Sequence, residues 1–301
     1  MKYIVAHTAP DMDAITSVWL IKKFLPGWDK ASVQFVPAGD AIGRTQEQGL
    51  LLTDPVEKIG RDLVMQVDTG LGPLDHHQTQ SDKVSAASLT FDYIMKQMQE
   101  SLPPMNKEKL EALERMVNYV VEIDHFKEVF RKDSLADYHD FSIVNILDGI
   151  KLQKPNQDEY YVEFICKCLD ALLHDFENKI WAEREIDKNG IEFSTKWGKG
   201  LGIESINDSV VKLAQTMGYV VVVRRDPRKG YVRIKVRPDE DEHKKGANLT
   251  LVYEKLSKMD PAATWFLHVS NKMLLNGTVK NPKMKPTKLS LNDIIEVLKG
   301  I

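Results

Sequence analysis

Short apolar runs alternate with amphipathic stretches along the first 125 residues. The apolar runs have the length and β-branched content of buried strands, and they lie at 2–6, 32–36 and 62–67. The amphipathic stretches have apolar residues at helical spacing, and they lie at 14–25, 85–98, 106–121 and, farther on, 158–186. This alternation predicts an α/β domain with a mainly parallel sheet flanked by helices.

A glycine-rich stretch with weak hydrophobic periodicity, 187–208, separates this region from one with a different pattern of predicted elements. Beyond it the sequence predicts a hairpin at 219–236, a helix at 244–258, a strand at 264–269 and a final helix that Ser290 caps. These elements predict a smaller C-terminal α+β domain. We therefore expect two domains, 1–190 and 205–301, with the boundary in the glycine-rich stretch.

The composition is that of a globular protein, since 43% of the 301 residues are hydrophobic and 28% are charged. The formal net charge of -3 gives no global electrostatic argument for nucleic-acid binding, so any such argument must be local. No apolar run reaches membrane-spanning length, and the first residues turn polar too soon for a signal peptide. We expect a cytoplasmic protein without a membrane partner. The oligomeric state stays open, with a homodimer as one alternative.

Asp75, His76 and His77 lie side by side, shortly after an apolar run that ends in Asp68. Neither helical nor strand periodicity accounts for three such polar side chains in a row. Burying them is costly unless something binds them. A divalent metal ion is the simplest such partner.

Other candidate ligands follow the ends of predicted elements. His7, Asp11 and Asp13 lie in the first strand-to-helix loop, at the end of an open α/β sheet where ligands bind. Asp124 follows the third amphipathic stretch. Each has an ordinary alternative, such as a capped turn at Asp11, a loop cap at Asp68 or a surface helix end at Asp124. Their joint order along the chain favours a metal site.

Imidazole and carboxylate ligands together suit manganese, iron, cobalt or magnesium. Two such ions about 3.5–4 Å apart that share a carboxylate form a phosphoesterase clamp, which activates water and stabilises charge on the phosphoryl oxygens. The candidate ligands therefore predict two-metal hydrolysis.

Four motifs in this order resemble the DHH phosphoesterase superfamily, and they are 7–14, 67–68, 75–77 and 124–125. Relatives in that superfamily include single-strand exonucleases, oligoribonucleases, cyclic-dinucleotide phosphodiesterases and manganese pyrophosphatases. The resemblance implies a DHH-type catalytic domain that binds two divalent ions. Manganese is expected, with magnesium or cobalt as alternatives.

The resemblance also implies a role for each matching residue. One ion would be held by His7, Asp11 and Asp68, and the other by Asp13, Asp68, His76 and Asp124. Asp68 would bridge the two ions. The catalytic residues would be His77, which would face the scissile phosphate, and Asp75, which would orient the histidines.

Within the superfamily, the chain is similar to the melanocyte-proliferating-gene branch, an exonuclease-like group. The similarity lies in 75–78, in the region from 141 through the long helix to 185, and in 266–270 followed by 276–277. The first motif differs from that of the branch, and the GGGH motif usual in DHH proteins is missing. These departures concern the substrate more than the metal chemistry.

The C-terminal domain is expected to bind the substrate. Residues 224–237 include seven Lys or Arg and one Asp, and period-two spacing places Arg233, Lys235 and Arg237 on one face of a strand. Such a face can bind phosphates, although a basic solvated face is the ordinary alternative. With Arg224 and His268, these three residues form the predicted substrate-binding set.

The predicted function is a two-metal phosphohydrolase that cleaves phosphodiester or phosphomonoester bonds of a nucleotide or short oligonucleotide. Two alternatives stay open. One is a manganese-dependent enzyme similar to pyrophosphatases, and the other is a non-catalytic metal-binding sensor or partner protein.

Overall fold

The computed structural model describes residues 1–101, 105–238, 246–278 and 280–301. The chain divides into two compact units, Met1–Phe176 and Glu177–Ile301. The domain limits expected from the sequence, 1–190 and 205–301, stay predictions. Among the described residues, no helix combines the length and the apolar character that crossing a bilayer requires.

The first unit contains a four-stranded sheet in the order β2-β1-β4-β3. Its strands are β1 (Lys2–His7), β2 (Ser32–Val36), β3 (Val56–Ile59) and β4 (Asp62–Gln66). Strand β1 pairs in parallel with both β2 and β4, while the edge strand β3 runs antiparallel to β4. The first sheet is therefore mostly parallel, as the strand–helix alternation predicts.

Helices flank this sheet. They are α1 (Met12–Phe24), α2 (Gln46–Gly49), α3 (Ala86–Ser101), α4 (Lys107–Asp124), α5 (Ile143–Gln153) and α6 (Asp158–Asn189), the last of which continues into the second unit. Two short 3-10 segments, Lys127–Phe130 and Asp137–His139, follow α4. Helix α1 packs against both α3 and α4. Ile4, Val5 and Ala6 of β1 are fully buried, so the centre of the sheet forms part of the core of this unit.

The second unit contains a six-stranded sheet in the order β5-β6-β7-β8-β10-β9. Its strands are β5 (Ile191–Thr195), β6 (Gly198–Glu204), β7 (Val221–Arg225), β8 (Val232–Val236), β9 (Phe266–Leu267) and β10 (Met273–Asn276). The only parallel pair among these described strands is β6 with β7, so this sheet is mostly antiparallel. Helices α7 (Ser209–Thr216), α8 (Thr250–Met259) and α9 (Leu291–Lys299) complete the unit.

Both faces of the second sheet are covered. Val221 and Val223 of β7 join one core cluster with residues of α8 and α9, while Val222 joins a second cluster with residues of α6 and α7. A strand that is buried on both faces is apolar at consecutive positions rather than alternate ones. This explains the unbroken run of valines in β7.

The glycine-rich stretch 187–208 has weak periodicity in the sequence but regular secondary structure in the fold. It includes the end of α6 and strands β5 and β6. A Cβ on Gly200 would lie 2.5 Å from the Phe193 ring, and one on Gly202 would lie 2.6 Å from Ile295. These glycines therefore allow large apolar side chains to pack on the strand.

Two other boundaries differ from the sequence-based expectation, and two short strands were not predicted. The helix expected at 244–258 begins at Thr250 among the described residues, and 244–245 lie outside them. The strand expected at 264–269 is limited to Phe266–Leu267. Strands β3 and β10 have four residues each, too few to show a clear period in the sequence.

Candidate metal centre

The candidate ligands meet at the carboxyl ends of the parallel strands. The register pairs Val5 with Gln66, and the backbone N–H of Val67 donates to the carbonyl of Val5 over 2.9 Å. His7 at the end of β1 therefore lies beside Asp68, which follows β4. Their side chains come within 3.3 Å, from His7 Nε2 to Asp68 Oδ2.

Asp68 is buried, and its two carboxylate oxygens face different histidines. Oδ2 faces His7, while Oδ1 lies 3.5 Å from His76 Nε2. The backbone of Asp68 has a φ of 53°, in the left-handed region, and its N–H donates to the carbonyl of Leu74 over 3.0 Å. The left-handed turn thus closes the loop that returns residues 75–77 to the strand end.

The first ligand group consists of His7, Asp11 and Asp68. His7 Nδ1 donates to the carbonyl of Thr8 over 2.9 Å, so Nε2 is the ring nitrogen that faces the carboxylates. Asp11 Oδ2 lies 3.9 Å from that nitrogen. Its other oxygen, Oδ1, accepts from the N–H groups of Asp13 and Ala14 and caps α1.

The second ligand group is centred on His76. Its Nε2 lies 3.4 Å from Asp124 Oδ2 and 3.7 Å from Asp13 Oδ2, in addition to its approach to Asp68. Asp124 is the last residue of α4, so that helix delivers its carboxylate to the group.

Asp13 has a structural role as well. It is buried, and its oxygens accept hydrogen bonds from the N–H groups of Ala86 and Ala87 over 2.7 and 2.8 Å. These are the first residues of α3, where unpaired N–H groups and the helix dipole favour a negative charge. Asp13 therefore connects the start of α1 to the start of α3 through the centre of the site.

Three buried atoms of the second group have no hydrogen-bond partner: Asp68 Oδ1, His76 Nε2 and Asp124 Oδ2. Unpaired buried polar atoms are costly, and here the Asp68 and Asp124 oxygens both face His76 Nε2. Metal–ligand bonds of about 2.1 Å place neighbouring ligand atoms about 3–3.5 Å apart. The distances of 3.4 and 3.5 Å from His76 Nε2 match that spacing, so the donor set fits a divalent cation.

The shifted pKa values of the clustered side chains also favour a bound cation. Burial, followed by the nearby carboxylates of Asp68 and Asp124, raises the pKa of Asp13 to about 8. The close approach of the Asp68 carboxylate raises the pKa of His76 to about 9, although burial opposes this. Burial acts to lower the pKa of His7, but Asp11 and Asp68 outweigh it and raise that pKa to about 10. The clustered carboxylates thus attract positive charge, which a cation can supply.

By distance His77 also belongs to a possible ligand group with Asp68 and His76, since its Nδ1 lies 3.7 Å from Asp68 Oδ1, but that nitrogen is closer to Asp75. Asp75 Oδ1 accepts from both the N–H and the Nδ1 of His77, over 3.0 and 2.8 Å, and Asp75 Oδ2 accepts from the N–H of Leu71. The His77 side chain is 60% exposed, so this pairing leaves Nε2 available to a bound molecule. Asp75 orients His77, whereas the acidic partners of His76 are Asp13, Asp68 and Asp124.

His125 belongs to the site although no role was predicted for it. Its Nε2 donates to the carbonyl of Val84 over 2.9 Å, and its ring meets the His76 ring edge-on at 5.9 Å. It lies among candidate ligands by distance, but the hydrogen bond occupies the nitrogen that faces Asp124. Its position next to Asp124 was the available signal.

The predicted substrate-binding residues lie in the second unit, where Arg224 and Arg233 pair with carboxylates. Arg224 is buried and bonds to the carbonyls of Ser205 and Ile206, and it also pairs with Asp208 and Asp226. Arg233 pairs with Asp208 over 2.9 Å. This set of contacts gives Arg224 a structural role.

The other three residues of that set lie on or near two strands. Lys235 is half-buried on β8, and Arg237 is exposed just after that strand. His268 follows β9 in a turn, where its Nδ1 lies 2.8 Å from Ser270 Oγ. Their binding of substrate stays a prediction.

Comparison with known proteins gives distant structural matches alone. No family model matches the sequence, and no curated protein matches it. The exonuclease RecJ of Thermus thermophilus, solved with Mn²⁺, is 10% identical with a TM-score of 0.28, and the match covers 99% of this chain and 51% of RecJ.

Two further matches each cover 99% of both chains. The pGpG-specific phosphodiesterase PggH of Vibrio cholerae is 10% identical, with a TM-score of 0.26. A putative family II inorganic pyrophosphatase of Methanococcus jannaschii is 17% identical, with a TM-score of 0.24. At such scores the function proposed below depends on the geometry of the site.

Proposed function

We propose that this protein is a metal-dependent phosphohydrolase of the DHH type. The observation that carries the proposal is that two buried carboxylate oxygens, of Asp68 and Asp124, face the buried Nε2 of His76, and that none of these three atoms has a hydrogen-bond partner. A structural network would pair these atoms with hydrogen-bond donors or acceptors, whereas a cation site needs their lone pairs free. The order of the motifs along the chain, which resembles the DHH superfamily, supports the same conclusion.

Two cations fit the proposal better than one. Asp68 offers one oxygen to each group, with Oδ2 toward His7 and Oδ1 toward His76. A carboxylate shared in this way is the arrangement that two-metal hydrolases use. His7 and Asp11 would complete the first site, and Asp13, His76 and Asp124 would complete the second.

Bound cations at these sites would supply the charge that activates water and stabilises the phosphoryl oxygens during hydrolysis. The protein's own contribution is positional. Asp75 fixes the His77 ring with Nδ1 as the donor, so that Nε2 points away from this pair and can contact a phosphoryl or leaving-group oxygen. The hydrogen bond from His7 to Thr8 likewise fixes which nitrogen faces the cation.

The substrate we propose is a phosphodiester or phosphomonoester of a nucleotide or short oligonucleotide, with manganese as the cation. The resemblance of the motifs to phosphoesterases that act on such molecules supports this choice. The contacts to substrate phosphates that we propose for Arg224, Arg233, Lys235, Arg237 and His268 rest on the basic sequence pattern.

The test is hydrolysis by metal-stripped protein to which Mn²⁺ is returned. The panel holds end-labelled single-stranded RNA, the matching DNA, pApA, pAp and pyrophosphate, with Asp68→Asn as the matched control. We expect manganese-dependent release of mononucleotides from at least one nucleic-acid substrate and none with the variant.

Each other outcome has a distinct meaning. Turnover of pyrophosphate alone would support metal-dependent hydrolysis but contradict the proposed nucleotide substrate. Bound manganese without turnover of any substrate would favour a metal-binding sensor. Equal turnover by the Asp68→Asn variant would contradict the proposed site.

A further inference from the structure

Phe126 has an unusual conformation beside the candidate metal centre. Its φ is 54° and its ψ is 27°, in the left-handed region, and it follows the helix that ends at Asp124. Glycine is the usual residue at such a position after a helix, because a side chain there is strained. Packing does not explain the phenylalanine, since 71% of the residue is exposed.

The residues on either side hold Phe126 in place. His125 donates to the carbonyl of Val84 over 2.9 Å, and Lys127 Nζ donates to the carbonyl of Asp82 over 2.7 Å and pairs with its carboxylate at 3.1 Å. Both anchors belong to the loop that follows the Asp75–His77 segment. Strain at an exposed residue persists when neighbouring contacts impose it, and such strain is typical of functional sites.

Phe126, which these hydrogen bonds hold in place, is close in sequence to a candidate ligand. It follows Asp124 by two residues, and the ring of the intervening His125 meets that of His76 at 5.9 Å. The exposed ring is thus attached to the same short segment that supplies a candidate ligand.

The segment after Phe126 contains further exposed aromatic side chains. Phe130, Tyr138 and Phe141 are 86%, 63% and 93% exposed. Two nearby cations are already engaged, since Lys127 pairs with Asp82 and Arg131 pairs with Glu122 and lies over a tyrosine ring. The surface therefore offers aromatic faces to a ligand.

We propose that Phe126 stacks on the nucleobase next to the scissile phosphate and selects nucleotides over inorganic or base-free phosphates. The inference rests on the proposed phosphohydrolase function and specifies its substrate class. Stacking of a base on an aromatic side chain is tolerant of sequence, so the residue would accept more than one base.

The experiment compares two substrates that differ in one base. One is a 5′-phosphorylated dinucleotide, and the other has the same backbone with its 5′ base replaced by hydrogen. Kinetics with Mn²⁺ are measured for the wild type and for Phe126→Gly, Phe126→Trp and Leu135→Gly. Leu135 is the matched control, because it is 98% exposed in the same segment.

We expect Phe126→Gly to raise KM for the dinucleotide about 5- to 100-fold and to leave the abasic substrate unchanged. Phe126→Trp should restore the wild-type KM, and Leu135→Gly should have no effect. The melting temperature of Phe126→Gly should equal or exceed that of the wild type, since glycine adopts the left-handed conformation without strain. An equal effect on both substrates, or no effect on either, would overturn the inference.

Stopped-flow binding of a dinucleotide containing 2-aminopurine, whose fluorescence falls on stacking, separates this inference from the proposed function. Binding that depends on Phe126, without hydrolysis, would support base stacking and contradict the proposed hydrolase activity. Hydrolysis of both substrates that does not depend on Phe126 would support the hydrolase activity and contradict the stacking. The absence of both binding and hydrolysis would contradict both proposals. Dissociation of a dimer by Phe126→Gly and Leu135→Gly alike, seen by light scattering without a KM effect, would assign the surface to a second copy of the chain.

Discussion

Asp68 meets two requirements at once. Its backbone lies in the left-handed region, and its carboxylate must reach both His7 and His76. Asparagine tolerates that backbone region, whereas alanine there costs about 1–2 kcal/mol. Asparagine is therefore the substitution that removes the charge of the bridging side chain without straining the loop.

We expect Asp68→Asn to keep a metal-free free energy of unfolding within about 1 kcal/mol of the wild type, and Asp68→Ala to be lower by about a further 1 kcal/mol. Both variants should lose stabilisation by Mn²⁺, because binding to the folded state alone is what stabilises it. Urea unfolding in EDTA and again in excess Mn²⁺ measures both effects. Undiminished Mn²⁺ stabilisation of Asp68→Asn would contradict the shared-carboxylate arrangement.

The two adjacent histidines have separable roles. His76 is buried with its Nε2 among three carboxylates, while His77 is largely exposed and bonded to Asp75. We expect His77→Asn to retain Mn²⁺ binding and lower kcat about 100- to 10,000-fold, the range for loss of a proton-transfer or hydrogen-bonding group. His76→Asn is the matched variant, and it should lose metal binding as well.

Titration calorimetry with Mn²⁺ and single-turnover kinetics measure these two properties for both variants. If the two substitutions reduced metal binding equally, His77 would be a ligand and the assigned division of roles would be wrong.

At the scale of the element, Asp11 serves a helix with one oxygen and the metal site with the other. Oδ1 accepts from the N–H groups of Asp13 and Ala14 at the start of α1, and Oδ2 faces His7. Asparagine keeps a capping oxygen, but alanine does not.

We therefore expect Asp11→Ala to lower the free energy of unfolding by about 1 kcal/mol in EDTA and Asp11→Asn to change it by only a few tenths. Both should weaken Mn²⁺ binding. Urea denaturation and metal titration of the two variants measure the separation, and equal losses of stability would show that the cap contributes little.

The strand β7 gives a second case in which an element explains a side chain. Arg224 is buried against Asp226, and its remaining donors reach Asp208 and backbone carbonyls. Arg224→Gln leaves Asp226 with Arg228 but removes the donors to the carbonyls of Ser205 and Ile206, and losing the partner of a buried polar group costs about 1–3 kcal/mol. We expect Arg224→Gln to lose about 1–3 kcal/mol of stability, and Lys235→Gln, on the neighbouring strand, to change it by less than about 0.5 kcal/mol.

Unfolding in urea at neutral and acidic pH checks this expectation. Burial acts to raise the pKa of Asp226, but Arg228 and Arg224 hold it below its ordinary value. The stabilisation is therefore complete above about pH 4 and is lost as the pH falls through the lowered pKa, so the penalty of Arg224→Gln should shrink in acid. A penalty that is independent of pH would assign it to packing and the carbonyl hydrogen bonds alone.

At the scale of the whole molecule, the first unit was the more predictable from its sequence. Its strands are short apolar runs, and parallel strands bring their carboxyl ends to one edge of the sheet. His7 and Asp68 could be expected together for that reason. The sequence does not show the left-handed turn at Asp68 or the use of Asp13 by the start of α3, because both depend on contacts between distant segments.

The second unit was less predictable. The glycines that accommodate Phe193 and Ile295 made their stretch look weakly patterned, and we expected the domain boundary there, but both glycines lie in strand β6. Arg224 belongs to a basic run that suggests a phosphate-binding face, yet its partners lie 16 to 19 residues earlier in the chain or two residues later. Local charge patterns contain no information about such partners.

Manganese content per chain tests most directly whether Asp68 joins two cation sites. The wild type and Asp68→Asn are each stripped of metal, dialysed to equilibrium against Mn²⁺ and analysed for bound manganese. We expect two ions per wild-type chain and at most one in the variant, since neither ligand group is complete without Asp68. No bound manganese in the wild type, or the same number in both proteins, would contradict it.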